Sequence, residues 1–223
     1  MRYFTFILLP IAFIFPSFSA STISAVDLLL FQQSISVPPT FKLRQSHSPK
    51  ATIHWVDFAN FTYSIPDSHK RSFRLRKGEQ PEVRNHKGII IKEGYHLGNI
   101  KYGDVTGDGQ EEAFVSVGIS TGGSSIPDYV YIYSLQNRRP KLLWSFATGD
   151  RADGGLRQIF AEHGELVIEL YGKGKIIGSD LFAEDGMLGG DCCPTHFTRA
   201  RYRWNGKRFV LKGKPEVLPN PAS

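Results

Sequence analysis

The chain has 223 residues, of which 41% are hydrophobic and 22% are charged. This composition is typical of a globular domain and excludes a collagen-like chain or wholesale disorder. With only two cysteines, the chain is not a small disulfide-stapled scaffold.

The formal net charge of +6 is unevenly distributed. Residues 40–103 carry 12 basic and 5 acidic side chains, residues 104–191 carry 7 and 14, and residues 192–223 carry 7 and 1. Segments of opposite charge can neutralise one another in the folded chain, whereas a nucleic-acid-binding protein is usually basic throughout its binding domain. We therefore expect no nucleic-acid partner.

The first 19 residues have the pattern of a secretory signal peptide. Arg2 precedes an apolar run over residues 4–15, and Ser17 and Ser19 provide small residues before a cleavage site. The run is shorter than the roughly 20 residues that span a bilayer, and no later segment is long enough. We expect a periplasmic or secreted protein without a transmembrane segment after cleavage, and a linker or ordered arm over residues 20–51.

From residue 52 onward the pattern is mainly that of strands. Short runs rich in β-branched and aromatic residues alternate with turn signals every eight to twelve residues. The predicted strands cover residues 55–63, 72–75, 88–92, 113–119, 129–135, 142–146, 156–160, 166–171, 197–204 and 207–211. We predict a single antiparallel, mainly β domain over residues 52–214, with few or no helices and a C-terminal tail over residues 215–223. A meander, a blade-like partial propeller and a sandwich all fit.

The stretch from residue 103 to 112 is rich in oxygen ligands. Side-chain oxygens at alternate positions and one backbone carbonyl suit the six to eight ligands that calcium prefers, and Gly107 and Gly109 permit tight coiling. The expected ligands are Asp104, Thr106, Asp108, Gln110 through its carbonyl, and Glu112. The alternative is a metal-free Asp-Gly turn.

This loop resembles the calcium loop of FG-GAP and VCBS-type repeats, which have a D-x-[DNT]-G-D-G core. Residues 104–109 match that core, while Glu112 stands where the family has Asp, and the twelfth position, Val115, excludes an EF-hand. The resemblance covers about twenty residues and implies a structural Ca²⁺ that holds a strand–loop–strand unit together.

Cys192 and Cys193 are adjacent and precede Pro194. Their Cα atoms lie about 3.8 Å apart across a trans peptide, below the usual range for a disulfide, so a bridge would close a strained turn. In an oxidising compartment we expect this vicinal disulfide. A metal site with His196 is the alternative.

The next segment predicts a basic hairpin. With a two-residue Asn205–Gly206 turn, Trp204 would face Lys207 and Arg203 would face Arg208. One face would then be apolar, and the other would carry Arg199, Arg201, Arg203, Arg208 and Lys212. These cations either pair with the acidic middle segment or form a face that binds an anionic envelope polymer or acidic partner.

The segment from Cys192 to Phe209 is similar to the closing segment of exported bacterial proteins of uncharacterised function. The resemblance implies relatives among them and no activity.

Two functional classes follow from these features. The first is an exported, calcium-binding, non-enzymatic binding module for an unknown envelope or extracellular ligand. The second is a small secreted hydrolase with a site formed by Asp150, Asp153, His163 and His196. The sequence has no nucleophile–base or metal-triad signature, which favours the first class.

Overall fold

The computed structural model describes residues 52–66, 68, 70–123, 127–150, 152, 154–177 and 193–221. All of these residues belong to one compact unit, Ser48–Ser223. The predicted signal peptide and linker lie outside the described residues. Within the described ranges, no helix has the length and apolar character needed to cross a membrane.

The described residues confirm a mainly β, antiparallel fold, since every pair of named strands is antiparallel. The strands are β1 (Thr62–Ser64), β2 (Ser72–Arg74), β3 (Glu79–Gln80), β4 (Val83–Arg84), β5 (Ile90–Lys92), β6 (Gly94–Gly103), β7 (Glu112–Ser120), β8 (Asp128–Gln136), β9 (Arg139–Ala147), β10 (Leu156–Glu162), β11 (Glu165–Tyr171), β12 (His196–Trp204), β13 (Phe209–Leu211) and β14 (Glu216–Pro219).

Two five-stranded sheets form the body of the domain. The central sheet has the order β3-β6-β7-β8-β9. In the C-terminal sheet the order is β10-β11-β12, and β13 and β14 pair in succession with the outer edge of β12. Two small hairpins, β1-β2 and β4-β5, complete the described strands.

The two middle strands of the central sheet, β7 and β8, are buried on both faces. On one face, Ala113, Val115, Val117 and Ile119 of β7 pack against residues 53–75 in an aromatic-rich core. On the other face, Phe114 packs in a second core with residues of β11 and β12. We call this second core the shared core, because it joins the two sheets as in a sandwich.

Alternating sequence patterns identified the core residues of β7 and β12. The predicted inward set of β7 is confirmed, and Ala200, Tyr202, Trp204 and Phe209 all contribute to the shared core. Leu211, assigned to the same face, is 41% exposed.

Three sequence predictions are wrong. Residues 55–63 do not form one strand, because Asp57 accepts hydrogen bonds from the backbone N–H groups of Ala59 and Asn60 and caps a 3₁₀ turn over Phe58–Asn60. The two-residue turn is also wrong, since Trp204 lies opposite Phe209. The predicted tail includes β14, which pairs with β12.

The longest described strand, β6, was missed because glycines interrupt its pattern. These glycines allow close approaches between neighbouring elements. A Cβ atom at Gly103 would lie 2.4 Å from the Cβ atom of Ala161, which is on the other sheet.

We predict that Gly103→Ala destabilises the domain by about 1–3 kcal/mol, because the two sheets must separate locally to admit the methyl group. Urea unfolding measures the effect. Gly123→Ala is the matched control, since its methyl group would meet no atom within 4 Å. Equal stability of the two variants would contradict the close packing of the sheets at Gly103.

Candidate functional site

The Asp-rich loop connects β6 to β7, where the chain must turn back sharply. Gly107 and Gly109 adopt positive φ values of 78° and 75°, which glycine tolerates better than other residues. Val105 is 1% exposed and packs in the shared core. The loop is therefore anchored to the core at its start and to the buried strand β7 at its end.

Asp104 organises the backbone of this loop. Its Oδ1 atom accepts hydrogen bonds from the N–H groups of Thr106 and Gly107 at 3.2 and 2.7 Å, and its Oδ2 atom accepts one from Gly109 at 2.9 Å. Asp108 Oδ1 accepts a hydrogen bond from the N–H group of Gln110 at 2.8 Å. The two aspartates thus stabilise the turn that sets the spacing of the oxygen atoms.

Glu112 is the most unusual residue of the loop, because it is fully buried. Its Oε2 atom accepts a hydrogen bond from the Val105 N–H group at 3.0 Å, and its Oε1 atom accepts one from the Thr106 hydroxyl at 3.3 Å. Burial raises the pKa of this carboxyl to about 7, with a smaller contribution from Asp108 and Asp104. No lysine or arginine among the described residues forms a salt bridge with it.

All five predicted metal ligands share this one loop. Their donor chemistry, which is oxygen only, fits a hard cation such as calcium. The described side chains, however, contain no group of three or more His, Cys, Asp or Glu residues arranged to hold a metal ion. Asp104 and Asp108 accept hydrogen bonds from backbone N–H groups of the loop, so a bound ion would have to use their remaining lone pairs.

Four of the five cations of the predicted basic face are paired with acidic residues of the middle segment. Arg199 contacts Glu169 at 2.6 Å and Arg201 contacts Glu162 at 2.5 Å. Arg203 and Lys212 both contact Glu165. Arg208 belongs to the turn after β12, where its N–H group donates to Asn205 Oδ1 at 2.9 Å. Arg203 lies opposite Val210, so the predicted contact between Arg203 and Arg208 is wrong. Binding of an anion by this face remains a prediction.

Two of these acidic partners are themselves buried. Glu169 is 1% exposed and Glu165 is 6% exposed. Hydrogen bonds from Lys212 and Arg203 lower the pKa of Glu165. Each of these glutamates is bonded to two cationic side chains, which is the usual requirement for a buried charge. Glu112, by contrast, is bonded to no cationic side chain among the described residues.

The sequence predictions do not include Glu165 and Glu169 as partners of the arginines, although the sequence pattern indicates them. Leu166, Ile168 and Leu170 alternate toward the shared core, which places Glu165 and Glu169 on the opposite face of β11. Arg157 of β10, which also contacts Glu169, was not identified either.

Two residues of the alternative hydrolase site, His163 and His196, lie at opposite ends of the C-terminal sheet. His163 lies in the turn between β10 and β11, with φ of 52°, and His196 begins β12 at the other end of the sheet. Leu166 of β11 pairs with Tyr202, which is six residues along β12 from His196, so the two ends lie about 20 Å apart or more. Asp150 accepts a hydrogen bond from the Ala152 N–H group, and Asp153 lies outside the described residues.

The predicted vicinal disulfide is not tested, because Cys192 lies outside the described residues. Cys193 is exposed, and the following residue, Pro194, accepts a hydrogen bond through its carbonyl from the Asn220 amide at 2.9 Å.

No family model matches the chain, and no curated protein and no solved structure matches it significantly.

We predict that Glu112 makes the metal-free protein less stable as pH rises from about 4.5 to about 7. The unfolded chain releases its proton near 4.5, whereas the folded chain retains it until about 7. Between these pH values the free energy of unfolding of the wild type should fall relative to that of Glu112→Gln, by on the order of 3 kcal/mol.

Urea unfolding in EDTA at several pH values measures this difference. Glu111→Gln is the matched control, because Glu111 is exposed and contacts His54. The prediction fails if the difference in the free energy of unfolding between the wild type and Glu112→Gln stays constant across this pH range.

Proposed function

We propose that this chain is an exported, non-enzymatic binding module whose β6–β7 loop binds Ca²⁺. Asp104, Thr106, Asp108, the Gln110 carbonyl and Glu112 would hold the ion. The resemblance of the loop to FG-GAP and VCBS-type repeats and the N-terminal signal pattern support the calcium site and the export, respectively. The domain would act in the bacterial envelope or outside the cell.

The single observation that carries the calcium site is the burial of Glu112 without a cationic side chain bonded to it in the described part of the chain. An ionised carboxylate without a compensating charge is costly to bury. The charges of Glu165 and Glu169 are each compensated by two cationic side chains. A divalent cation in the loop would compensate the charge of Glu112 and would also reduce its repulsion from Asp104 and Asp108.

The proposed role of the ion is structural. The loop links Val105 in the shared core to β7, the strand that is buried on both faces. Calcium would fix this connection by adding bonds that the metal-free loop lacks. Asp104 and Asp108 donate no hydrogen bonds as carboxylates and retain lone pairs beyond those used by the backbone N–H groups.

Affinity is expected to be modest. Asp104 and Asp108 already accept backbone hydrogen bonds, and Thr106 is an uncharged ligand. We expect a dissociation constant of about 0.1–1 mM, which is the range of extracellular calcium modules.

The experiment is a calcium titration of the mature protein by calorimetry, together with thermal melting in EDTA and in calcium. At calcium tenfold above its dissociation constant, stability should rise by about 1.4 kcal/mol, which raises the melting temperature by about 3 °C. Asp104→Asn and Asp108→Asn should abolish the binding heat and the rise.

Glu111→Gln is again the matched control and should bind calcium as the wild type does. Mg²⁺ at the same concentration should give a smaller rise, because it requires a more rigid octahedral site. The calcium proposal is overturned if the folded wild type gives neither binding heat nor a change in melting temperature at millimolar calcium.

A further inference from the structure

The C-terminal sheet carries a cavity on the face opposite the shared core. Its volume is about 540 Å³, which lies within the usual range for small-ligand sites. Residues of β10, β11, β12 and β14 line it. None of the predicted calcium ligands takes part.

Two arginines held by one buried carboxylate form the polar part of this cavity. Glu169 Oε2 accepts a hydrogen bond from Arg157 Nη1, and its Oε1 atom accepts bonds from Arg199 Nε and Nη2 at 2.8 and 2.6 Å. The side chain of Glu169 is 1% exposed, whereas those of Arg157 and Arg199 are 17% and 30% exposed. The carboxylate therefore lies beneath the two guanidinium groups, which remain partly accessible.

The charge of this cluster is not balanced within the cavity. Among the described lining residues, two arginines face a single carboxylate. Each guanidinium group has five N–H donors in a planar fork, and three of the ten are used in the bonds to Glu169. Several donors thus remain, and the lining keeps one excess positive charge, since Glu216, which pairs with Arg199 across β12 and β14, is not a lining residue.

An aromatic ring fixes the orientation of the guanidinium groups. The Cζ atom of Arg157 lies 4.1 Å from the centre of the Phe197 ring, and that of Arg199 lies 5.9 Å from it. Phe197 is itself buried. A cation held over a buried ring and bonded to a buried carboxylate loses little freedom on binding a ligand.

The rest of the lining is mostly apolar and includes Phe160, Leu218 and Pro219. A ligand that fits would place its anionic group at the arginines and an apolar body against these side chains. A planar carboxylate matches the guanidinium fork in a bidentate arrangement.

We propose that this cavity binds a small carboxylic acid with an apolar or aromatic body, anchored by Arg157 and Arg199. The inference supplies a ligand class for the proposed binding module, so it rests on that part of the proposed function and is independent of the calcium loop. Of the five cations predicted to form an anion-binding face, only Arg199 lines this cavity. The second arginine of the proposed site, Arg157, belongs to β10 and lies outside the basic hairpin.

The probe for the experiment is 3-phenylpropionate, titrated into the folded protein by calorimetry at low salt. Its uncharged amide, 3-phenylpropanamide, is the matched ligand control. We expect a dissociation constant of about 0.1–1 mM for the acid, at least about tenfold weaker binding of the amide, and weaker binding of the acid when salt is added.

Arg157→Lys and Arg199→Lys retain the charge and remove the fork, and each should weaken binding of the acid by about tenfold or more. Arg201→Lys is the control on the same face, because Arg201 contacts Glu162 and does not line the cavity.

Thermal melting establishes that each variant is folded, and each titration is run with and without calcium. The inference is overturned if the folded wild type shows no saturable binding of the acid up to about 10 mM, if the amide binds equally well, or if both lysine variants bind like Arg201→Lys. If the wild type binds the acid but not calcium, only the calcium proposal is overturned. If it binds calcium but not the acid, only the proposal for this cavity is overturned.

Discussion

The compensation of buried carboxylates is the constraint on which this structure depends. Three glutamates, Glu112, Glu165 and Glu169, are buried, and a buried charge is stable only with a partner. On the C-terminal sheet the partners are arginine and lysine side chains from β10, β12 and the segment after β13. In the β6–β7 loop they are a backbone N–H group and a hydroxyl, which leaves the negative charge in place.

The same constraint explains the uneven charge along the chain. The acidic middle segment supplies the glutamates of β10 and β11, and the basic C-terminal segment supplies the cations of β12. Because β11 and β12 are neighbours in one sheet, the segments neutralise each other across the strand pair. Arg157 is a cation of the acidic middle segment itself. It contacts Glu169 as a second positive charge and lines the cavity.

Much of the fold could be predicted from hydrophobic alternation. The inward residues of β7 were recognisable because Ala113, Val115, Val117 and Ile119 repeat with period two. The burial of Phe114 on the other face was not, because it depends on a sheet that forms from residues much later in the chain. Strand β6 was hidden by glycines that serve close packing, as at Gly103.

Local side-chain hydrogen bonds account for two further differences from the sequence predictions. Asp57 caps a 3₁₀ turn where alternation predicts a strand. Asn205 accepts hydrogen bonds from the N–H groups of Lys207 and Arg208, which lengthens the turn and shifts the register of the hairpin. For the candidate site, the sequence identified the oxygen-rich loop, whereas the burial of Glu112 and the pairing of Glu169 required three-dimensional contacts.

Carbon-13 NMR of the Glu112 carboxyl group, in EDTA and in saturating calcium, measures whether a bound ion compensates this side chain. We expect a pKa of about 7 without the metal and a fall to the ordinary glutamate value of 4.5 or below when calcium is bound. A pKa that is the same in both conditions would contradict the claim that a divalent cation compensates this carboxylate.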